Sequence, residues 1–278
     1  MSQPQVLVLR APGTNCDEET ALAFEQAGAK AQRVHINRLL EKPTLFQQFQ
    51  ILCIPGGFSY GDDVAAGKIM ANQAVHHLSE ALRKFINDGK LVLGICNGFQ
   101  VLVKMGILPG FKSNLATEDT ENTEINKKDQ RPEANLVTIT NNDCGKFEDR
   151  WVYLSPQTKK CIFIEQDRQI YLPIAHGEGK VVTKDDATLE QLKSGGHIAF
   201  KYVDENGKEG GFPINPNGSV DSIAGLTDTT GRVLGLMPHP ERFVRPTQHP
   251  RWTRLKDKID ADGMTIFHNA VKYIQENF

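Results

Sequence analysis

The sequence predicts an α/β fold in which a mostly parallel central sheet carries helices on both faces and is extended by a strand-rich second half. Three observations predict it. Short apolar runs alternate with helical patterns through the first third of the chain. Strand-like runs broken by Gly, Pro and Asn turns dominate from Leu136 onward. The run Leu91-Val92-Leu93 feeds a glycine-flanked turn, Gly94-Ile95-Cys96-Asn97-Gly98, that leads into the helical stretch Phe99 to Val103. Repeated strand, helix, strand units build a parallel sheet, and ligands then bind beyond the carboxyl ends of its strands.

In chain order, Gln5 to Arg10 is a short apolar strand, and Asp17 to Ala27 is a helix that ends at Gly28. Arg33 to Ile36 and the buried run Ile51 to Ile54 read as the next strands. Ala74, Val75, Leu78, Ala81, Leu82, Phe85 and Ile86 recur at helical spacing before the strand Leu91 to Ile95. Thr117 to Pro132 has almost no large apolar residue and many charges, which marks a mobile surface insertion. The later strands are Leu136 to Thr140, Trp151 to Leu154, Leu172 to Ala175, His197 to Val203, Ile223 to Thr227 and Val233 to Met237. Thr265 to Gln275 closes the chain as a helix with Ile266, Phe267, Ala270, Val271 and Ile274 on one face. No internal repeat or interdomain linker interrupts this pattern.

With 278 residues, 39% of them apolar, the chain can bury a sizeable core. Thirty-two basic residues against 34 acidic ones leave a net charge of -2, too small a field to draw nucleic acid or an anionic membrane. The start Met1-Ser2-Gln3-Pro4 lacks the basic and apolar regions of a signal peptide. No apolar run approaches the ~20 residues that cross a bilayer, so a cytoplasmic location is expected. Five widely spaced cysteines without a C-x-x-C pair argue against a disulfide framework or a zinc site. The pair His76-His77 lacks ligands at metal spacing, and no metal is expected.

The glycine-flanked turn is a nucleophile elbow with Cys in place of Ser, which makes Cys96 the candidate nucleophile. An isolated Cys is more often a small buried hydrophobe, so its partners decide the matter. In Met237-Pro238-His239-Pro240-Glu241, two prolines hold the backbone extended around His239. Residues i and i+2 of an extended segment share a side, so Glu241 can reach one imidazole nitrogen while the other faces the thiol. A His between prolines is by itself most often a loop residue; with Cys96 and Glu241 it completes a triad. Pro55-Gly56-Gly57-Phe58-Ser59-Tyr60-Gly61 follows a strand directly but matches neither phosphate-loop pattern. The N–H groups of Gly57 and Asn97 are therefore candidate oxyanion donors, one of which can contribute ~2.7–4 kcal/mol. Ala175-His176-Gly177-Glu178-Gly179 allows close backbone approach to a ligand, and Asn215 to Ser219 reads as a hairpin turn.

Together these motifs resemble the triad-type (class I) glutamine amidotransferases. Gly13-Thr14-Asn15-Cys16-Asp17, Pro216-Asn217-Gly218-Ser219 and Ser222-Ile223-Ala224-Gly225 narrow the resemblance to the glutaminase subunits of phosphoribosylformylglycinamidine synthase. The match spans nearly the whole chain. It implies a single flavodoxin-like domain over residues 1–278, with the polar insertion at about 117–132. It further implies that Cys96 attacks the side-chain amide of L-glutamine, His239 moves protons and Glu241 holds His239. Gly57, Asn97, His176 and Gly177 would supply the oxyanion hole and glutamine contacts. The resemblance implies no cofactor in this chain; ATP and Mg2+ belong to a partner synthetase subunit, with a small accessory subunit alongside. The rival reading is a stand-alone γ-glutamyl or cysteine hydrolase. Asn97, where peptidase-like relatives place a His, counts against the peptidase form.

Overall fold

The computed structural model of the protein describes residues 3–57, 78, 80–111, 136–255 and 260–278. The 117–132 insertion, His76-His77, the first residues of the 74–86 helical pattern and Phe58 to Gly61 lie outside the described residues. The first half alternates as the apolar pattern requires. It runs β1 (Gln5–Arg10), α1 (Asp17–Gln26), β2 (Lys30–His35), α2 (Ile36–Glu41), β3 (Ile51–Ile54), helical residues 80–87 (α3), β4 (Leu91–Ile95) and α4 (Asn97–Lys104). The second half contributes β5 (Val137–Asn141), β6 (Glu148–Pro156), β7 (Ile170–His176), β8 (Glu178–Thr183), α5 (Asp186–Ser194), β9 (Ile198–Val203), β10 (Ile223–Thr227), β11 (Val233–Leu236) and α6 (Gly263–Asn277).

Nine strands form one sheet in the order β2-β1-β3-β4-β11-β10-β9-β6-β7. The first five are parallel, the doubly wound order in which ligand sites sit where the strand order reverses, here between β1 and β3. From β11 onward every pairing is antiparallel, which is the strand-rich extension. β5 and β8 pair separately as a two-stranded sheet. The central strands β3 and β4 are buried at every residue, the signature of a parallel layer covered on both faces. On α6 the five residues expected on one face are all buried, and Phe267 meets Phe24 of α1 edge to face at 4.9 Å.

Three local readings change. Ile36 opens α2 rather than closing a strand, because His35 takes an extended backbone and its Nδ1 accepts the Asn37 N–H as a helix cap. β8 and α5 occupy a stretch with no element expected. Asn215 to Ser219 is not a tight hairpin turn, since β9 ends at Val203 and β10 begins only at Ile223. Asn217 is instead fully buried. Its Nδ2 donates to the Gly179 carbonyl at 2.8 Å and to the Tyr202 hydroxyl at 3.3 Å, tying the small sheet to the large one.

Candidate active site

Cys96 stands between β4 and α4 with φ 50° and ψ −105°, a left-handed backbone that an L residue adopts at a cost of about 1–3 kcal/mol. The strain sits on the cysteine itself rather than on its glycines. Those serve close approach: a Cβ on Gly98 would drive into the Ile54 carbonyl of β3, and one on Gly94 would meet the Leu102 side chain at 2.5 Å. Cys96 N donates to Leu236 O at 2.8 Å, fastening the elbow to β11, and Cys96 Sγ lies 3.9 Å from the Ala175 carbonyl of β7.

His239 follows β11, and its N–H donates to the Pro173 carbonyl at 2.8 Å. His239 Nδ1 and Glu241 Oε1 are 2.6 Å apart, both side chains being buried. The pairing is the one expected, but the backbone route differs. Pro240 to Arg242 form a 3-10 turn rather than an extended segment, because a proline at the first helical position fixes φ for the turn. His239 Nε2 and Glu241 Oε2 have no hydrogen-bond partner among the described residues. A Cβ on Gly56 would touch His239 Cε1 at 2.8 Å, Cys16 Sγ at 3.3 Å and Cys96 Cβ at 3.4 Å, so the imidazole meets two cysteines around one glycine. Burial alone would lower the His239 pKa. The Glu241 carboxylate and the Cys96 and Cys16 sulfurs outweigh it and hold the imidazole well above its usual value.

Backbone strain and burial distinguish the two cysteines. Burial pushes the Cys16 thiol up to about 11 even with His239 and Arg242 pulling it down, so it stays protonated at neutral pH. Its Sγ donates to Asn15 Oδ1 at 3.1 Å and accepts from Arg242 Nη2 at 3.2 Å, while Arg242 Nε donates to Glu19 at 3.0 Å. Both sulfurs line the cavity, and Cys96 is the one on the strained elbow.

That cavity, of about 370 Å³, brings together all the residues expected at the site except Glu241, which supports His239 from behind: Cys96, His239, Gly57, Asn97, His176 and Gly177 line it. Gly57, with φ 137°, packs on the Gly13 to Asn15 backbone, where a Cβ would stand 2.7 Å from Asn15 N. Asn97 opens α4, so its N–H lacks an intrahelical acceptor, and its Nδ2 donates to Gln100 Oε1 at 3.1 Å. Gln100 in turn donates to the Glu178 carbonyl at 2.7 Å. His176 donates from Nδ1 to Asn142 Oδ1 at 3.1 Å, leaving Nε2 a bare acceptor. Burial, reinforced by the charge of His239, lowers its pKa to about 3 and keeps it neutral. Cys16, Asn15, Gln100, Asn142 and Arg242 were not singled out as site residues by sequence reasoning. Asn15 and Cys16 lie in the Gly13 to Asp17 motif, Gln100 just after the cysteine elbow and Arg242 just after Glu241, whereas Asn142 lies in no motif. A larger cleft of about 700 Å³ beside α6 is lined by Lys160, Arg168, His268 and Lys272, and its Cys161 is pushed up to about 12 by burial.

A thiol held on a strained elbow beside a buried imidazole–carboxylate pair suits covalent amide hydrolysis, and on this strand order it defines the triad-type glutamine amidotransferase class. Comparison with known proteins agrees. The family model of the CobB/CobQ-like glutamine amidotransferase domain matches residues 3–274, and the chain belongs to that family. It is 44% identical to the phosphoribosylformylglycinamidine synthase subunit PurQ of Dehalococcoides mccartyi, over 99% of this chain and all of that one. Against the PurQ subunit of Archaeoglobus fulgidus the identity is 40%, over 98% of this chain and 97% of the relative. Among solved structures, PurLQS from Thermotoga maritima superposes with a TM-score of 0.69 at 28% identity, covering 98% of this chain and 100% of that chain.

Proposed function

We propose that this chain is the glutaminase subunit of a phosphoribosylformylglycinamidine synthase. It hydrolyses L-glutamine and hands ammonia to a synthetase subunit that converts formylglycinamide ribonucleotide to its amidine, with ATP and Mg2+ used on the partner. A small accessory subunit completes the assembly, and the work is cytoplasmic. The observation that carries the site reading is the 2.6 Å imidazole–carboxylate pair of His239 and Glu241 beside the elbow thiol.

The Cys96 thiolate attacks the side-chain carbonyl carbon of glutamine. The oxyanion that forms is received by the N–H groups of Gly57 and Asn97. The His239 imidazolium gives its proton to the leaving amine, ammonia departs, and a γ-glutamyl thioester remains on Cys96. His239 then takes a proton from water as it attacks the thioester, and returns it to the sulfur as glutamate leaves. Glu241 holds the imidazole orientation throughout. His176 and Gly177 border the glutamine.

Glutamate release is measured on the isolated chain and after addition of the synthetase and accessory subunits, for the native protein and for Cys96→Ala. Strong stimulation by the partners, absent in Cys96→Ala, is expected. Undiminished hydrolysis without partners would instead identify a stand-alone hydrolase.

A further inference from the structure

Asn142 follows β5, is buried and does not line the cavity, yet its whole carboxamide is engaged by the two segments around that cavity. Its Nδ2 donates to the Lys146 carbonyl at 2.9 Å and to the His176 carbonyl at 2.8 Å. Its Oδ1 accepts from Gly179 N and from His176 Nδ1, both at 3.1 Å. The backbone joins in: Asn142 N donates to Gly177 O, and Gly145 N donates to Asn142 O, both at 2.9 Å. Gly145, Lys146 and Phe147 form one wall of the cavity, and His176, Gly177 and Glu178 form another. From these contacts we infer that Asn142 is a positioning residue for glutamine binding, a staple that fixes the two walls relative to each other and sets the orientation of the His176 ring. The inference rests on the reading of this cavity as the glutamine pocket.

The position requires a carboxamide. A carbonyl only accepts and a backbone N–H only donates, so the end facing the Lys146 and His176 carbonyls is the NH2 and the end facing Gly179 N is the oxygen. That oxygen takes its second donor from the ring, so His176 carries its proton on Nδ1. A pKa lowered to about 3 by burial keeps the ring in this neutral form. Gly179 lets the ring close down on the turn, since a Cβ there would run into the imidazole. Aspartate has the same shape but would set a carboxylate oxygen against two carbonyls and place a negative charge beside Nδ1, which favours the imidazolium. Alanine would leave both carbonyls without this donor. None of the Asn142 bonds goes to Cys96, His239 or Glu241, so the staple acts on binding and not on bond breaking.

Two measurements test it, one with turnover and one without. In the complex with the synthetase and accessory subunits, Asn142→Ala, its fold checked by circular dichroism, is expected to raise the KM for glutamine about tenfold or more while kcat stays within about threefold of native. An unchanged KM, or a kcat that falls as far as KM rises, would overturn the inference. The second measurement follows the histidine rings of the isotopically labelled full chain by NMR between about pH 5 and 8. The native His176 ring is expected to remain neutral with its hydrogen on Nδ1, whereas in Asn142→Asp it takes up a proton within that range. A native ring with its hydrogen on Nε2, or a titration that Asn142→Asp leaves unmoved, would overturn the staple whatever the ligand. A native complex that releases no glutamate while the ring behaves as expected would overturn the glutamine reading alone.

Discussion

At the residue scale, function turns on which sulfur is activated. Cys96 has the strained elbow, and Cys16, which lines the same cavity, is held protonated by burial. Cys96→Ala is expected to lower partner-stimulated glutamate release by about 10⁶-fold, and Glu241→Gln by about 10⁴-fold, because an orienting carboxylate is worth less than the nucleophile. A smaller loss for Cys96→Ala than for Cys16→Ala would reverse the assignment. His176 makes a different prediction. Its native pKa of about 3 lies below the ordinary 6.5, so between those values the unfolded chain binds a proton that the folded one refuses. Stability therefore falls as pH drops from 6.5 toward 3. Replacing it by His176→Gln should flatten that slope by up to about 1.4 kcal/mol per pH unit in denaturant titrations. The triad was legible in the sequence because each member lies in a short motif with its own chemistry. Cys16 and Asn142 were not, since their roles exist only through contacts across the sheet.

Elements place these side chains by close approach. Gly98 lets α4 lie directly on β3, and Gly98→Ala would push the helix off the Ile54 carbonyl. We expect a loss of about 1–3 kcal/mol in thermal unfolding, together with a near-complete loss of glutaminase activity. A variant with native activity would show that α4 can shift without moving the elbow. The parallel strands β1, β3, β4 and β11 were readable because continuous apolar runs have few alternatives, whereas β2, Lys30–His35, buries only Val34 and was read only in part. β8 was not, because Glu178-Gly179-Lys180 mixes charge and glycine with only Val181 and Val182 to mark a strand. α5 follows an Asp185 cap whose Oδ1 accepts the Thr188 N–H at 2.8 Å, a signal present in the sequence but placed among residues of weak amphipathic pattern. The turn after His239 was misread for a definite reason: prolines stiffen both extended and helical segments, and only the packing of α6 beneath decides between them.

For the molecule as a whole, the two ends of the chain meet. α6 packs on α1 through Phe267 and Phe24, and Gly263 N donates to Phe243 O at 3.0 Å, buttressing the turn that carries Glu241. Phe267→Ala removes a fully buried ring and should cost about 3–5 kcal/mol, lowering the melting temperature by on the order of 10 °C. A shift of only a degree or two would mean that the last helix adds little to the core. The sheet order carries one more consequence. β11 lies beside β4 at the border of the parallel layer, although the whole antiparallel extension, β6, β7, β9 and β10, is synthesised between them. While the chain is still emerging from the ribosome, the sulfur has neither its imidazole nor the strand that fastens its elbow. The protein is therefore born with its reactive centre disarmed, and it acquires a working thiol only when nearly all of its length is available to fold.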